Sequence, residues 1–288
     1  MEDPQKIVWL ASYPKSGNTW FRVFLSNLLN NNKQEPVHIN ELKETSIASA
    51  RGIFDEITGL PSEDMTHEEI DELRPGVYRW QAEEAEELVY KKVHDAYTYL
   101  PDGRPLFPPE VTYAVIYFIR NPLDVAVSFA HHSAREPQQM IKTLNSSEFS
   151  FCGKRNRLYN QLRQKLGSWS EHVKSWTNQT AIPVKVLRYE DMKANPLDTF
   201  ESAVRFLSLN KSREEVRKAL QYSDINILQE QEEKSGFKEK MIKAELFFRK
   251  GSVGEGKEVF TKEEIRQILE PHLDILQQFG YLSNVDDR

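Results

Sequence analysis

Hydrophobic residues along this chain follow two rhythms. Nearly unbroken apolar runs at Lys6–Ser12, Leu88–Val93, Thr112–Ile119 and Val184–Tyr189 read as strands. Three of them are continuous, which suits strands buried on both faces of a parallel sheet. Between the runs the spacing turns helical. Thr66-x-x-Glu69 is a capping box that predicts a helix through Leu73, ended by Pro75-Gly76. Arg155 to Gln179 predicts a long amphipathic helix with Leu158, Leu162, Leu166, Trp169 and Val173 on one side. Asn195-Pro196 opens another, carrying Phe200, Val204, Phe206 and Leu207. Thr261-x-x-Glu264 caps a last helix to Phe279, kinked or broken at Pro271. The Pro-rich stretch from Leu100 to Pro109 is a turn between strands, and no internal repeat is visible. Strands alternating with helices predict one α/β domain over residues 1–288, a central parallel sheet flanked by helices.

Charge narrows the partners. In 288 residues, 38 Lys plus Arg stand against 44 Asp plus Glu, a net of −6. Such a balance offers no global basic surface to nucleic acid, so anion binding must be local. Cys152 is the single cysteine, which excludes an intrachain disulfide and a Cys-rich metal site. Nothing near it in sequence would lower its pKa, so it reads as a packed thiol. The first strand begins within six residues of Met1, and the longest apolar run is far short of a bilayer span. The expectation is a soluble cytoplasmic protein with no membrane partner.

The first strand leads into the chemistry. Ser12-Tyr13-Pro14 ends it, Lys15-Ser16-Gly17-Asn18-Thr19 forms a loop, and apolar Trp20, Phe21, Val23, Phe24, Leu28 and Leu29 mark an amphipathic helix. Strand, tight loop and helix point backbone N–H groups and a helix N-terminus at an anion. Ser16 and Thr19 add hydroxyls, Gly17 permits close backbone approach, and Lys15 adds a mobile charge. The competing reading is an ordinary βα turn capped by Ser16 or Asn18. The order of residues is not that of a Walker loop, in which lysine follows the glycine run and precedes Ser or Thr. Gly251 to Lys257 mimics the Walker spacing, but Glu258 occupies the Ser/Thr position and no strand precedes it.

Other segments carry candidate chemistry. Arg120-Asn121-Pro122-Leu123-Asp124 follows the strand Thr112–Ile119, with Ser128 almost two turns into the next helix. A structural arginine and a helix serine are the bland alternative. Phe248-Arg249-Lys250-Gly251-x-x-Gly254 is a basic, Gly-rich loop. Tyr189-Glu190-Asp191 ends the fourth strand, Ser235-Gly236-Phe237-Lys238 offers an aromatic, and Lys91-Lys92-Val93-His94 ends the second strand. A lone histidine is more often structural, as is a lone Phe237 in a loop. His131-His132 read as ordinary helix-end residues.

Taken together, these motifs resemble the cytosolic sulfotransferases, which move a sulfuryl group from 3′-phosphoadenosine 5′-phosphosulfate (PAPS) to an acceptor. Tyr13-Pro14-Lys15-Ser16-Gly17-Asn18-Thr19-Trp20 resembles that family's 5′-phosphosulfate loop, and Arg120 to Ser128 resembles its R-N-P-x-D-x-x-x-S motif for the 3′-phosphate. Phe248 to Gly254 resembles its R-K-G-x-x-G loop, which also wraps the 3′-phosphate through Arg249, Lys250 and Gly251. The family continues Gly-Asp-Trp-Lys where this chain has Gly254-Glu255-Gly256-Lys257. The resemblance further implies that Tyr189 contacts the nucleotide, that Phe237 and Trp20 flank adenine, that His94 is the general base, and that Lys15 and Lys92 assist at the sulfuryl group. It implies a P-loop-kinase-like sulfotransferase fold, PAPS as cofactor with 3′-phosphoadenosine 5′-phosphate (PAP) as product, no metal, and a small-molecule acceptor. The family's dimer motif K-x-x-x-T-V-x-x-x-E is matched at Lys257 and Thr261, but Lys262 and Arg266 depart from it, leaving monomer and homodimer both open. The segment from Asn32 to Val77 matches no family motif and is expected to line the acceptor pocket or its lid. Two alternatives stand beside this reading: a P-loop kinase acting on a small molecule, and a non-catalytic nucleotide-binding module of the same fold.

Overall fold

A computed structural model describes residues 5–30, 34–154, 156–241 and 244–282. Strands and helices alternate: β1 (Ile7–Ser12), α1 (Asn18–Leu29), β2 (Thr45–Ile47), α2 (Arg51–Thr58), α3 (His67–Glu83), β3 (Val89–Val93), β4 (Thr112–Ile119), α4 (Pro122–Ser133) and α5 (Gln139–Leu144). The short strands β5 (Ser150–Phe151) and β6 (Gln164–Lys165) follow, then α6 (Trp169–Thr177), β7 (Val184–Arg188), α7 (Tyr189–Ala194) and α8 (Pro196–Phe206). Helices α9 (Arg213–Gln221), α10 (Ile225–Ser235), α11 (Glu255–Val259), α12 (Lys262–Leu269) and α13 (Leu273–Gln278) complete the described chain. The central sheet is parallel and runs β2-β3-β1-β4-β7, with helices flanking it. In its register Ile7 faces Val89 and Ala11 faces Val93, so β1 and β3 end together. All six residues of β1 are buried, as an unalternated apolar strand requires.

The chain forms two compact units. The first comprises Met1–Tyr13, Thr45–Tyr117 and Ser147–Val186. Its core holds Trp9 edge-on to Tyr78 and to Phe107, both with ring centroids at 4.9 Å. The indole N–H of Trp9 donates to Thr112 Oγ1 at 2.9 Å, so a fully buried tryptophan leaves no polar group unsatisfied. The second unit comprises Pro14–Glu44, Phe118–Ser146 and Leu187–Arg288. Phe21, Phe24, Phe118 and Phe200 pack there with centroid separations of 4.7 to 5.6 Å.

Several helical expectations are corrected. The helix capped by Thr66 does not stop at Pro75-Gly76 but runs to Glu83 with Pro75 inside it. An interior proline costs about 3 kcal/mol. The buried face Ile70, Arg74, Val77, Tyr78 and Ala82 continues on both sides of it and outweighs that cost. Arg74 anchors this face by a bidentate pair with Asp95 at 2.9 and 2.8 Å, both side chains 1% exposed. The long helix expected from Arg155 is confined to Trp169–Thr177, and Arg155 itself lies outside the described residues. Gly167 at φ +68° and a capping box from Ser168 to Glu171 set its start. Leu162 and Leu166 are buried without being helical, whereas Leu158 is exposed. The unplaced segment begins at Asn32, also outside the described residues, and supplies β2, α2 and most of α3. Its strand was not foreseen, because Thr45-Ser46-Ile47 has no apolar run. The last helix does break at Pro271, through a single 3₁₀ turn at Glu270–His272.

Candidate active site

In the second unit, the loop after β1 turns sharply into α1. Lys15 adopts φ +70° and Gly17 φ +103°, both in the left-handed region. A Cβ on Gly17 would lie 2.9 Å from the ring of Tyr189, so glycine is required by space as well as by conformation. Gly17 caps α1 without any side-chain hydrogen bond, and the first turn carries no acidic residue. The helix therefore begins with N–H groups and a positive dipole end that neither a capping side chain nor an acidic residue of its own first turn offsets. Ser16 Oγ is buried beside it and makes no hydrogen bond among the described residues. An uncapped N-terminus with an orphaned hydroxyl fits a phosphate group. The ammonium of Lys15 stands 3.9 Å from the centroid of the Phe247 ring, a cation–π contact that poises it at the loop. Asn18 is buried, while Thr19 and Trp20 are half-buried.

Arg120 gathers the neighbouring loops. It donates to Lys15 O at 3.1 Å and to Ser252 O at 2.9 Å, and its guanidinium lies 4.2 Å from the Tyr189 ring centroid. Its Nε is buried without a partner among the described residues, a second donor in want of an acceptor. Asn121 caps α4 by accepting from Leu123 N at 2.9 Å, with Pro122 at the first helical position. Ser128 sits half-buried on α4. Glu190 braces this corner, accepting from Asn121 N at 3.0 Å and from the Tyr281 hydroxyl at 2.8 Å.

The basic loop is held from both ends. Glu232, 4% exposed, accepts from the backbone N–H of Phe247 and Phe248 at 2.8 and 2.9 Å. Arg249 and Lys250 both bind Glu255. Hydrogen bonding from Arg249 holds that carboxyl well below its ordinary value, at about 2. Gly251 at φ +58° brings its backbone close to the Tyr189 hydroxyl. Tyr189 thus borders the loop after β1, Arg120 and the basic loop, and burial raises its pKa. Trp20 packs against Tyr189 and Phe200 at 6.2 and 5.0 Å. Phe237 lies in an apolar cluster with Phe247 and Phe248, Val23, Ile39 and Leu228.

In the first unit, β3 presents Lys92 and His94, both half-buried, two residues apart at its carboxyl end. His94 Nδ1 lies 2.8 Å from Ser12 O. A carbonyl only accepts, so Nδ1 carries the proton and Nε2 is the nitrogen with the basic lone pair. The Phe151 ring stands edge-on to the imidazole at 6.2 Å. Lys91 turns into the core, donates to Ser46 Oγ at 3.1 Å, and is lowered by burial to about 8. Burial raises the Cys152 thiol, the opposite of an activated nucleophile. The candidate residues divide between the units: Lys92 and His94 in the first, the others in the second.

Residues 5–277 match the sulfotransferase domain. The chain belongs to the sulfotransferase family. It is 27% identical over 237 residues to Sulfotransferase 1B1 of Canis lupus familiaris, covering 79% of this chain and 67% of that protein. It is 26% identical to Sulfotransferase 1 family member D1 of Rattus norvegicus, covering 94% and 83% respectively. The fold is that of mouse sulfotransferase SULT7A1 complexed with PAP, with a TM-score of 0.59, 19% identity and coverage of 98% and 87%.

This sulfotransferase contains site-shaping residues that the sequence reading passed over. Phe247 cradles Lys15, although the run Phe247-Phe248 before Arg249 could have drawn attention to it. Asp124 receives the N–H groups of Gly254 and Gly256, both at 2.8 Å. Its carboxylate therefore fills the helix N-terminus that the Walker-like spacing mimics. Gly256 is needed there, because a Cβ would lie 2.6 Å from the carbonyl carbon of Leu123. Ser12 meets His94 through its backbone carbonyl at 2.8 Å, with its Oγ 3.3 Å from the same Nδ1, a pairing 82 residues apart that no local motif signals. No helix among the described residues is long and apolar enough to cross a membrane.

Proposed function

We propose that this sulfotransferase moves a sulfuryl group from PAPS to a hydroxyl or amine of a small-molecule acceptor, as one catalytic domain of 288 residues working in the cytoplasm. The observation that carries the reading is the uncapped start of α1, with the buried, unpartnered Ser16 hydroxyl beside it. When bound, PAPS supplies an activated sulfuryl group on its 5′-phosphate. Ser16, Gly17, Asn18 and Thr19 hold that phosphate through backbone N–H groups and hydroxyls. Arg120, Ser128, Arg249, Lys250 and Gly251 hold the 3′-phosphate, where charge-assisted hydrogen bonds contribute about 1.5–3 kcal/mol each. Trp20, Tyr189, Phe237 and Phe248 surround the nucleoside. Lys15 and Lys92 offset the negative charge that develops as the sulfur–oxygen bond breaks. Nε2 of His94 accepts the acceptor's proton, the role its Nδ1–H bond to Ser12 O prepares it for.

The test is direct. The protein is incubated with radiolabelled PAPS and a panel of phenols, alcohols, amines and sugars, and sulfated products and PAP are quantified. Stoichiometric product and PAP are expected with at least one acceptor class. Consumption of ATP with magnesium in place of PAPS would establish the kinase alternative, and tight PAP binding without turnover on any acceptor would establish the binding module.

A further inference from the structure

Four hydrogen bonds around His94 close into a ring within the first unit. Nδ1–H of His94 donates to Ser12 O at 2.8 Å. The backbone carbonyl of His94 lies 3.0 Å from Nε2 of His172, which must therefore be the donor. Nδ1 of His172 lies 2.8 Å from the Tyr117 hydroxyl, and with its proton on Nε2 this imidazole accepts there. The Tyr117 oxygen in turn receives the backbone N–H of Tyr13. Ser12 O and Tyr13 N belong to the same peptide group, so the ring ends where it began.

Each member of this ring has one allowed proton position. If His172 took the other tautomer, its Nε2 lone pair would face the His94 carbonyl and its Nδ1–H would compete with the Tyr117 hydroxyl hydrogen. His172 is fully buried, and burial lowers its pKa to about 4, so it stays neutral and keeps a lone pair on Nδ1. The groups around it are Tyr13, edge-on at 5.5 Å, Tyr117, and the backbone carbonyls of His94 and Asp95. No side-chain carboxylate or ammonium is among these neighbours. The next residue is fixed as well: Asp95 O accepts from Trp176 Nε1 at 2.9 Å, and its side chain pairs with Arg74. Bonds running in one sense polarise each other.

We propose that Tyr117 and His172 are positioning residues that lock the main chain of His94 and, through the shared Ser12–Tyr13 peptide, hold its imidazole in the Nδ1–H tautomer with Nε2 as the base. This rests on the reading of His94 as the general base. Neither Tyr117 nor His172 is assigned contact with substrate.

Three variants test it in the full-length protein: His172→Phe, which keeps a ring but removes both hydrogen bonds; His172→Gln, whose amide N–H can reach the same carbonyl; and Tyr117→Phe, which deletes one oxygen. Two readouts are taken, kcat with PAP affinity, and imidazole ¹⁵N shifts of the histidine-labelled protein. His172→Phe should lower kcat by about ten- to a hundredfold, the scale of a small misplacement of a reacting group, with PAP affinity nearly unchanged. The ¹⁵N shifts of His94 should move from the Nδ1–H pattern toward a tautomer mixture. His172→Gln should recover most of the rate, and Tyr117→Phe should move both readouts in the same direction by less.

Native kcat and an unchanged His94 tautomer in folded His172→Phe would overturn the inference, as would a His172→Gln variant no better than His172→Phe. Should His172→Phe fail to fold, the Tyr117→Phe tautomer shift decides alone. A His94→Asn control separates the two layers. If it transfers at the native rate, the base assignment fails and this inference with it. If it is dead while His172→Phe turns over normally with an unshifted tautomer, only the positioning role fails.

Discussion

The carboxylate of Asp124, at the start of α4, is bonded through Oδ2 to the backbone N–H of Gly254, 130 residues further along the chain, and through Oδ1 to that of Gly256. Both distances are 2.8 Å, and Asp124 is only 2% exposed. Asp124→Asn replaces one acceptor oxygen by a donor facing an N–H. The variant should lose about 1–3 kcal/mol of stability in denaturant titration, the cost of one broken charge-assisted bond and an unsatisfied group. Amide hydrogen exchange should quicken at Gly254 and Gly256. Unchanged protection there would mean that this carboxylate does not order the loop.

Lys15 should matter to turnover more than to binding. Lys15→Ala is expected to lower kcat by roughly 10²–10³, the scale of losing one preorganised stabilising group. Phe247→Leu removes the ring beneath the ammonium and should give a smaller loss in the same direction. Near-native turnover of Lys15→Ala at saturating PAPS would take Lys15 out of the mechanism.

The 3′-phosphate contacts proposed for the basic loop make cofactor choice a test of that loop. PAP should bind more tightly than AMP by several kcal/mol, because the contacts assigned to the 3′-phosphate are charge-assisted and contribute about 1.5–3 kcal/mol each. Glu255 bears on this, since it already engages Arg249 and Lys250. Glu255→Gln should release Arg249 and raise affinity for the doubly phosphorylated nucleotide more than for AMP. Calorimetry with four titrations gives the comparison, and equal affinity of the native protein for PAP and AMP would refute the 3′-phosphate assignment.

Acid should act on this protein partly through His172. Its pKa is lowered from 6.5 to about 4 in the folded state by burial. Between those values the unfolded chain binds a proton that the folded chain does not, so stability falls as pH drops from 6.5 and the loss is complete below about 4. The full effect is at most about 3 kcal/mol. His172→Gln has no such titration, and its melting temperature should fall less steeply across that interval. Parallel curves for the two proteins would show that His172 is not what acid unfolds.

The legibility of the sequence followed the range of the interactions. Thr112–Ile119 could be read to its last residue, because eight apolar or β-branched positions in a row allow nothing else. The turn after β1 stands out as a motif for the same reason: Pro14 to Trp20 is contiguous, and its glycine and hydroxyls lie within one turn of each other. Features that depend on distant partners were not. Pro75 marks a helix end by local rules, and only the packing of Val77, Tyr78 and Ala82 together with the Arg74–Asp95 pair carries the helix past it. Leu158, Leu162 and Leu166 match a helical period by coincidence, and the true start at Ser168 was signalled by a capping box that the longer pattern obscured. The proton on His94 is decided by a carbonyl 82 residues earlier. No inspection of Lys-Lys-Val-His could have revealed it.

The backbone of Lys15 carries a consequence for anyone wishing to make this protein hardier. A side chain at φ +70° is held in the left-handed region at a cost of roughly 1–2 kcal/mol relative to glycine. Ranked by conformational strain alone, Lys15→Gly would stand near the top of any set of thermostabilising substitutions. It would raise the melting temperature and remove the ammonium from the phosphate loop in a single step. With Lys15 in the role proposed for it, selection for heat resistance without an activity screen should drift toward a sturdier, silent protein.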